Sequence, residues 1–170
     1  MKITDLLSKE EWAAFEREFK AKTGLNSNVY DPDGFTFTGV KKQGANKICS
    51  TIRSKPEALQ SVCSVAHQNL AQIARNTKAP VVGECDIGLL KICVPVFVND
   101  EFLGVVGGCG HLLEGSEVDT FLIHKLTGLE ESEVAELAHD VKEIPQAEAD
   151  SVAAEMQEWV QTTVDSFHKS

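Results

Sequence analysis

Five cysteines, Cys49, Cys63, Cys85, Cys93 and Cys109, stand in a chain of 170 residues, separated by 13, 21, 7 and 15 residues. An odd count at such wide gaps makes no disulfide framework, and no Cys-x-x-Cys pair marks a zinc ribbon or a ferredoxin-type cluster. Taken alone, each thiol reads as a small buried hydrophobe. Taken together, four of them point further. Cys49 falls near a helix start, Cys63 on the inward face of a helix, Cys85 at a strand end and Cys109 at the end of a central strand, so one end of a sheet collects them, with His67 or His111 as further donors. Soft thiolates in such a set favour zinc, an iron–sulfur cluster or haem iron. Cys93 lies on the strand face opposite Val94 and Val96, and period-two alternation sets it apart from a site built on that other face. It is read as the structural thiol.

Nucleophilic chemistry is a poorer match. Cys85 precedes Asp86, whose negative charge raises the thiol pKa, and no base is placed in sequence to take its proton. His124, His139 and His168 fall on surface helices or at the chain end, and Asp31-Pro32-Asp33-Gly34 has turn chemistry without the spacing of a calcium loop. No residue is assigned a catalytic role, and the chain is expected not to be an enzyme.

The elements that must position the thiols centre on Lys91 to His111, KICVPVFVNDEFLGVVGGCGH: two apolar, β-branched arms joined by Asn99-Asp100. Such a hairpin is the centre of a sheet. Its second arm carries Cys109 and His111 to the sheet end through glycines that admit close approach. Upstream, Ser8 to Glu11 forms a capping box for a helix with Trp12, Phe15 and Phe19 on one face, ended by Gly24. Asn28 to Tyr30 and Phe35 to Thr38 flank the Asp31–Gly34 turn as a first hairpin. Lys47 to Ser54 is a short helix, and Pro56 opens a longer one with the stripe Leu59, Val62, Cys63, Ala66, Leu70, Ile73. Val81 to Glu84 is a short strand. After His111 come two short helices, capped near Ser116 and Asp119 and spanning Ser132 to Val141. A last helix, about Gln146 to Phe167, carries Val152, Met156, Trp159, Val160, Thr163 and Phe167.

This order gives an α+β fold: a single domain over residues 1–170, core about 12–167, with about five antiparallel strands covered by helices and amphipathic helices at both ends. PAS-like and GAF-like sensors share that architecture and hold a small pocket between the layers. A 42% hydrophobic content at this length supports one core. The formal charge is 16 − 26 = −10, with no basic block, a field that repels phosphate backbones and anionic lipid. Direct nucleic-acid binding is not expected on that ground, and any DNA-binding output is expected on another chain. No apolar leader and no run of about eighteen apolar residues is present, so a soluble, cytoplasmic protein without membrane contact is expected.

In order and spacing, these pieces resemble the PocR ligand-binding sensory domain of prokaryotic signalling proteins, from about Trp12 to Phe167. The resemblance is carried by Phe19 to Leu25, Tyr30 to Gly34, Asn46 to Ser54, the helix opening at Cys63, Pro80 to Leu89, Val94 to Val96 and Leu103 to Gly108. It implies a PAS-like sensor of simple hydrocarbon derivatives such as short alcohols or diols, normally joined to a separate output. Cys49, Cys63 and Cys85 match the family's recurrent cysteine positions. Asp86 stands where the family tends to have a histidine, and Cys109 replaces a typical amide, which turns the site toward a metal, a cluster or a thiol-reactive ligand. The expected function is a stand-alone signal-transduction sensor whose small-molecule ligand or cofactor lies between sheet and helices near Cys49, Cys63, Cys85, Cys109 and His111. The alternative is a metal, iron–sulfur or haem redox sensor using the same four cysteines. A separate signalling protein is the expected partner, and the terminal helices, through Met156 and Trp159, the expected homodimer contact.

Overall fold

The computed structural model describes residues 1–41 and 44–169. A short helix α1 (Ile3–Leu6) leads into α2 (Lys9–Thr23), whose start is fixed by the capping box: the Glu11 amide donates to Ser8 Oγ at 3.3 Å and the Ser8 amide to Glu11 Oε2 at 2.8 Å. Gly24 ends it in the left-handed region at φ 75°. Then come β1 (Asn26–Tyr30), α3 (Lys47–Arg53), α4 (Pro56–Ala58) and, without a break, a wide π-helical stretch over Leu59–Ser64 that runs on into α5 (Val65–Thr77). Strands β2 (Val81–Glu84), β3 (Leu90–Val98) and β4 (Glu101–Cys109) come next. The chain closes with β5 (Leu112–Leu113), α6 (Thr120–Thr127), α7 (Glu131–Leu137), β6 (Glu143–Ile144) and the long α8 (Gln146–His168).

The main sheet is antiparallel in the order β1-β4-β3-β2. Its centre is the expected hairpin, with Asn99 and Asp100 both at positive φ, 47° and 65°, as a two-residue turn between right-twisted strands requires. Four strands rather than five make it up, beside a separate parallel pair, β5 and β6. The missing strand is the second arm of the first hairpin. Asp31 Oδ1 accepts from the amides of both Asp33 and Phe35, so the turn closes on its own side chain, and only an isolated bridge between Tyr30 and Thr36 remains.

One face of the sheet, with Val29, Val106, Ile92, Val94 and Val96, packs against Trp12 and Phe15 of α2 and Met156 and Val160 of α8. The Trp159 ring lies 4.4 Å from the Phe15 ring and 5.6 Å from that of Trp12. A buried Glu16 ties α2 to the sheet edge, accepting the Val29 amide at 2.8 Å and the Thr38 hydroxyl at 2.6 Å. Helix α8 therefore docks on its own sheet, and its buried stripe is Ala149, Ala153, Met156, Val160 and Val164. That differs from the interface stripe read from sequence: Met156 is internal, while Trp159 is only partly buried. The stripe of the middle helix shifts too. The π-helical stretch adds residues per turn and rotates the helix beyond it, so Val62, Ala66, His67 and Ala74 face inward and Ile73 faces water.

Because Met156 is core and Phe167 is not, Met156→Ala should cost about 2–5 kcal/mol in urea denaturation, and Phe167→Ala should stay within about 0.5 kcal/mol.

Candidate functional site

The second face of the sheet is built differently. Register places Asn26, Cys109 and Lys91 side by side across β1, β4 and β3, and the next row in period two holds Asn28, Gly107 and Cys93. A polar row in the middle of a sheet needs a lid, and α3, the π-helical stretch and the β2–β3 turn supply one. The Asn46 side chain fastens it: Oδ1 accepts the Cys49 amide at 2.8 Å as the cap of α3, and Nδ2 donates to the Gly110 carbonyl at 2.6 Å. Gly110, at φ 116°, has no room for a side chain, since a Cβ there would fall 2.4 Å from that of Ala45.

Under this lid lies a cavity of about 30 Å³, and Cys49, Cys63, Cys85 and Cys109 all line it. A larger cleft of about 400 Å³ opens outward from it, and Tyr30, Arg53 and Cys63 belong to both. The remaining sequence-expected residues fall elsewhere. Cys93 shares the sheet face of Cys109, contrary to the separation read from alternation. It stays out of the cavity for another reason, because α5 covers it, with Ala74 and Val105 as its buried neighbours. His111 is turned away: its Nε2 meets the Thr23 carbonyl at 2.7 Å and its ring lies against Gly24, so it secures the end of α2 and does not line the cavity. His67 stacks on Tyr30 with ring centroids 3.6 Å apart and lines the outer cleft.

Burial, and then the neighbouring thiols, push Cys49 up to about 12. Burial likewise pushes Cys85 up to about 11, against backbone N–H donors at Ile87 and Leu89, and raises Cys63 against the opposing pull of Arg53. These three thiols are protonated at neutral pH. For Cys85 the cause is desolvation, since the Asp86 side chain is exposed. Among the described residues, no group of three or more His, Cys, Asp or Glu is arranged to hold a metal ion.

Sequence reasoning missed the charged half of the site. Lys91 is 5% exposed, and neither it nor Arg53 pairs with a carboxylate among the described residues. The Lys91 Nζ lies 5.7 Å from the centroid of the Tyr30 ring. Burial, the largest influence, opposes the ammonium, and the neighbouring Tyr30, Cys109, Cys93 and Cys63 groups favour it only through the negative charge they carry when ionised. A cation–π contact returns about 2 kcal/mol when desolvated, against several kcal/mol for an ion taken out of water. The only signal in the sequence was a lysine in register with Cys93 at the head of a strand otherwise wholly apolar.

The family described as the sensory domain found in PocR matches residues 5–167. The chain belongs to this family. The match takes in both layers of the PocR fold, the sheet with its apolar helices and the lid over the polar row, so the thiol cavity lies within the sensory domain. No curated protein and no solved structure matches the chain. Among the described residues, no helix is long and apolar enough to cross a membrane.

The unbalanced charges lead to two measurements. Lys91→Met removes a buried ion of similar shape and should stabilise the ligand-free protein by about 1–4 kcal/mol in urea denaturation. Burial, and secondarily Lys91, holds His67 at about 3, below the ordinary 6.5. Between those values the unfolded chain binds the extra proton, so stability falls as pH drops from 6.5 toward 3. A His67→Gln variant should show a shallower fall in the same window.

Proposed function

We propose that this PocR-family domain is a non-enzymatic sensor whose small-molecule ligand occupies the thiol cavity between sheet and lid, in a PAS-like or GAF-like manner, and that a separate signalling protein reads the bound state. One observation carries the reading: four side chains far apart in sequence, Cys49, Cys63, Cys85 and Cys109, line the same cavity. Each comes from a different element, so a ligand there touches α3, the π-helical stretch, the β2–β3 turn and β4 at once. Occupancy then favours whichever lid position holds the ligand best, which is how a binding event becomes a signal. The lid has a natural point of movement, since π-helical stretches are rare and concentrate at functional sites.

The number of thiols favours a second reading, a soft-metal or iron–sulfur redox centre on the same residues. Against it stands the lack of a ligating arrangement among the described residues.

Both readings meet one experiment. Protein purified without oxygen is analysed for metals and, after denaturation, for released small molecules by mass spectrometry, alongside single Cys→Ala variants at all five positions. Loss of the same released compound in the Cys49, Cys63, Cys85 and Cys109 variants but not in Cys93→Ala is the expected result. Stoichiometric metal lost in those four variants would replace the first reading with the second. An effect equal at Cys93, or confined to one of the four, would end the shared-site idea.

A further inference from the structure

The donors on the cavity wall say more about its occupant than the thiols do. Lys91 and Arg53 both line it, and so does Asn26, which is 1% exposed and whose Nδ2 has no hydrogen-bond partner. Three groups that only donate therefore converge on one small space: an ammonium, a guanidinium and an orphaned amide nitrogen. Among the described residues, no carboxylate lines the cavity to receive them. Lys91 and Asn26 are buried and Arg53 is half-buried, and an orphaned buried donor such as the Asn26 amide is left where something absent from the protein accepts from it. The lid side of the cavity is of the opposite character, with Ile52, Val62, Ile87 and Leu89.

A neutral alcohol or diol satisfies the amide of Asn26 and leaves the charge on Lys91 unanswered. An inorganic oxyanion answers the charge and is poorly suited to four aliphatic side chains. Resting on the reading of this cavity as the ligand site, we infer that its occupant is a short-chain monocarboxylate, its oxygens held by Lys91, Asn26 and Arg53 and its alkyl end against Ile52, Val62, Ile87 and Leu89. Charge-assisted bonds to a carboxylate are the strongest contacts such a wall can make. The closed volume, about 30 Å³, limits the occupant to the smallest acids unless the Leu59–Ser64 stretch yields toward the outer cleft that shares Tyr30, Arg53 and Cys63. The order of preference among acids then reports how far the lid moves.

The test is calorimetric titration of the whole chain, stripped of any bound compound, with acetate, propionate and butyrate, with propanol and 1,3-propanediol as neutral partners of similar size, and with inorganic phosphate. Binding of one or more carboxylates, with the neutral compounds and phosphate weaker by about tenfold or more, is expected. Lys91→Met should lose a comparable factor while remaining folded by circular dichroism, and Arg53→Gln should lose a smaller one. Failure of every carboxylate to bind at about 10 mM, beyond the weak end of useful affinity, overturns the inference. Diol binding that survives Lys91→Met and is abolished by a cavity-filling Val62→Phe overturns the anionic assignment alone and leaves the cavity as the ligand site. Carboxylate binding unchanged in both variants overturns the site as well. Phosphate binding as tightly as any carboxylate overturns the organic half of the assignment. Thiolate absorbance near 240 nm at pH 7 in the stripped protein, removed by Cys109→Ser, overturns it too, because the counter-charge to Lys91 would then be internal.

Discussion

Strands β3 and β4 have no solvent face. Helices α2 and α8 cover one side of the sheet and α5 with its preceding turns covers the other, so β3 from Leu90 to Val96 and β4 from Leu103 to Gly108 are buried on both faces. On the first side the constraint is met by apolar residues packed on Trp12, Phe15 and Met156. On the second side it is met differently at the two ends of the strands: Cys93 and Val105 close against Ala74, whereas Asn26, Cys109 and Lys91 meet a lid that leaves a void. Sealing a polar row without filling the space above it sets up everything distinctive about the molecule, because a donor removed from water and given no acceptor, as Asn26 Nδ2 is, holds a standing deficit.

The lid packs on α6 and α7 through Ile48, Ile52, Val62, Ile123 and Val134, and Asn46 ties it to the sheet. Asn46 joins α3 to the end of β4 through two hydrogen bonds, and the absence of a side chain at Gly110 allows that approach. On its other flank the lid is the π-helical stretch, whose widened turn carries Val62 and Cys63 to the cavity and brings His67 onto Tyr30. A regular α-helix from Pro56 onward would have pointed Ile73 inward and His67 aside, which is the pattern that the amphipathic stripe describes. Local propensity and the final register disagree in that one stretch. Disagreements of this kind gather where a fold serves binding over packing.

Much of the architecture was legible because local chemistry and global fold agree elsewhere. Ser8 and Glu11, Gly24 and Asn99-Asp100 each do in the structure what their residue type requires, and the central hairpin pairs as its apolar arms demand. The first hairpin was overread because Asp31 satisfies its own turn with a side chain, which spacing does not disclose. Met156 was read as a contact between copies because an amphipathic stripe says that a face is covered without saying by what. Of the site, the four thiols could be named from their places at element ends. Lys91, Asn26 and Arg53 could not, since a lysine or asparagine in a sequence is a solvated residue until the register shows which way it faces.

The thiols and the charges also constrain one another. The Cys63 and Cys93 thiols, both raised by burial, are neutral neighbours to Lys91, able to accept weakly from its ammonium through sulfur and unable to cancel its charge. Were either one ionised, the ammonium would have a partner and the cavity would be electrostatically complete with nothing bound. Desolvation prevents that, and the same lid that causes the desolvation also excludes the water that would otherwise solvate Lys91. The site is thus kept short of a negative charge by its own burial. Opening the lid would relieve the deficit by admitting water, and an anion would relieve it with the lid closed, which couples the position of the π-helical stretch to whatever the cavity holds.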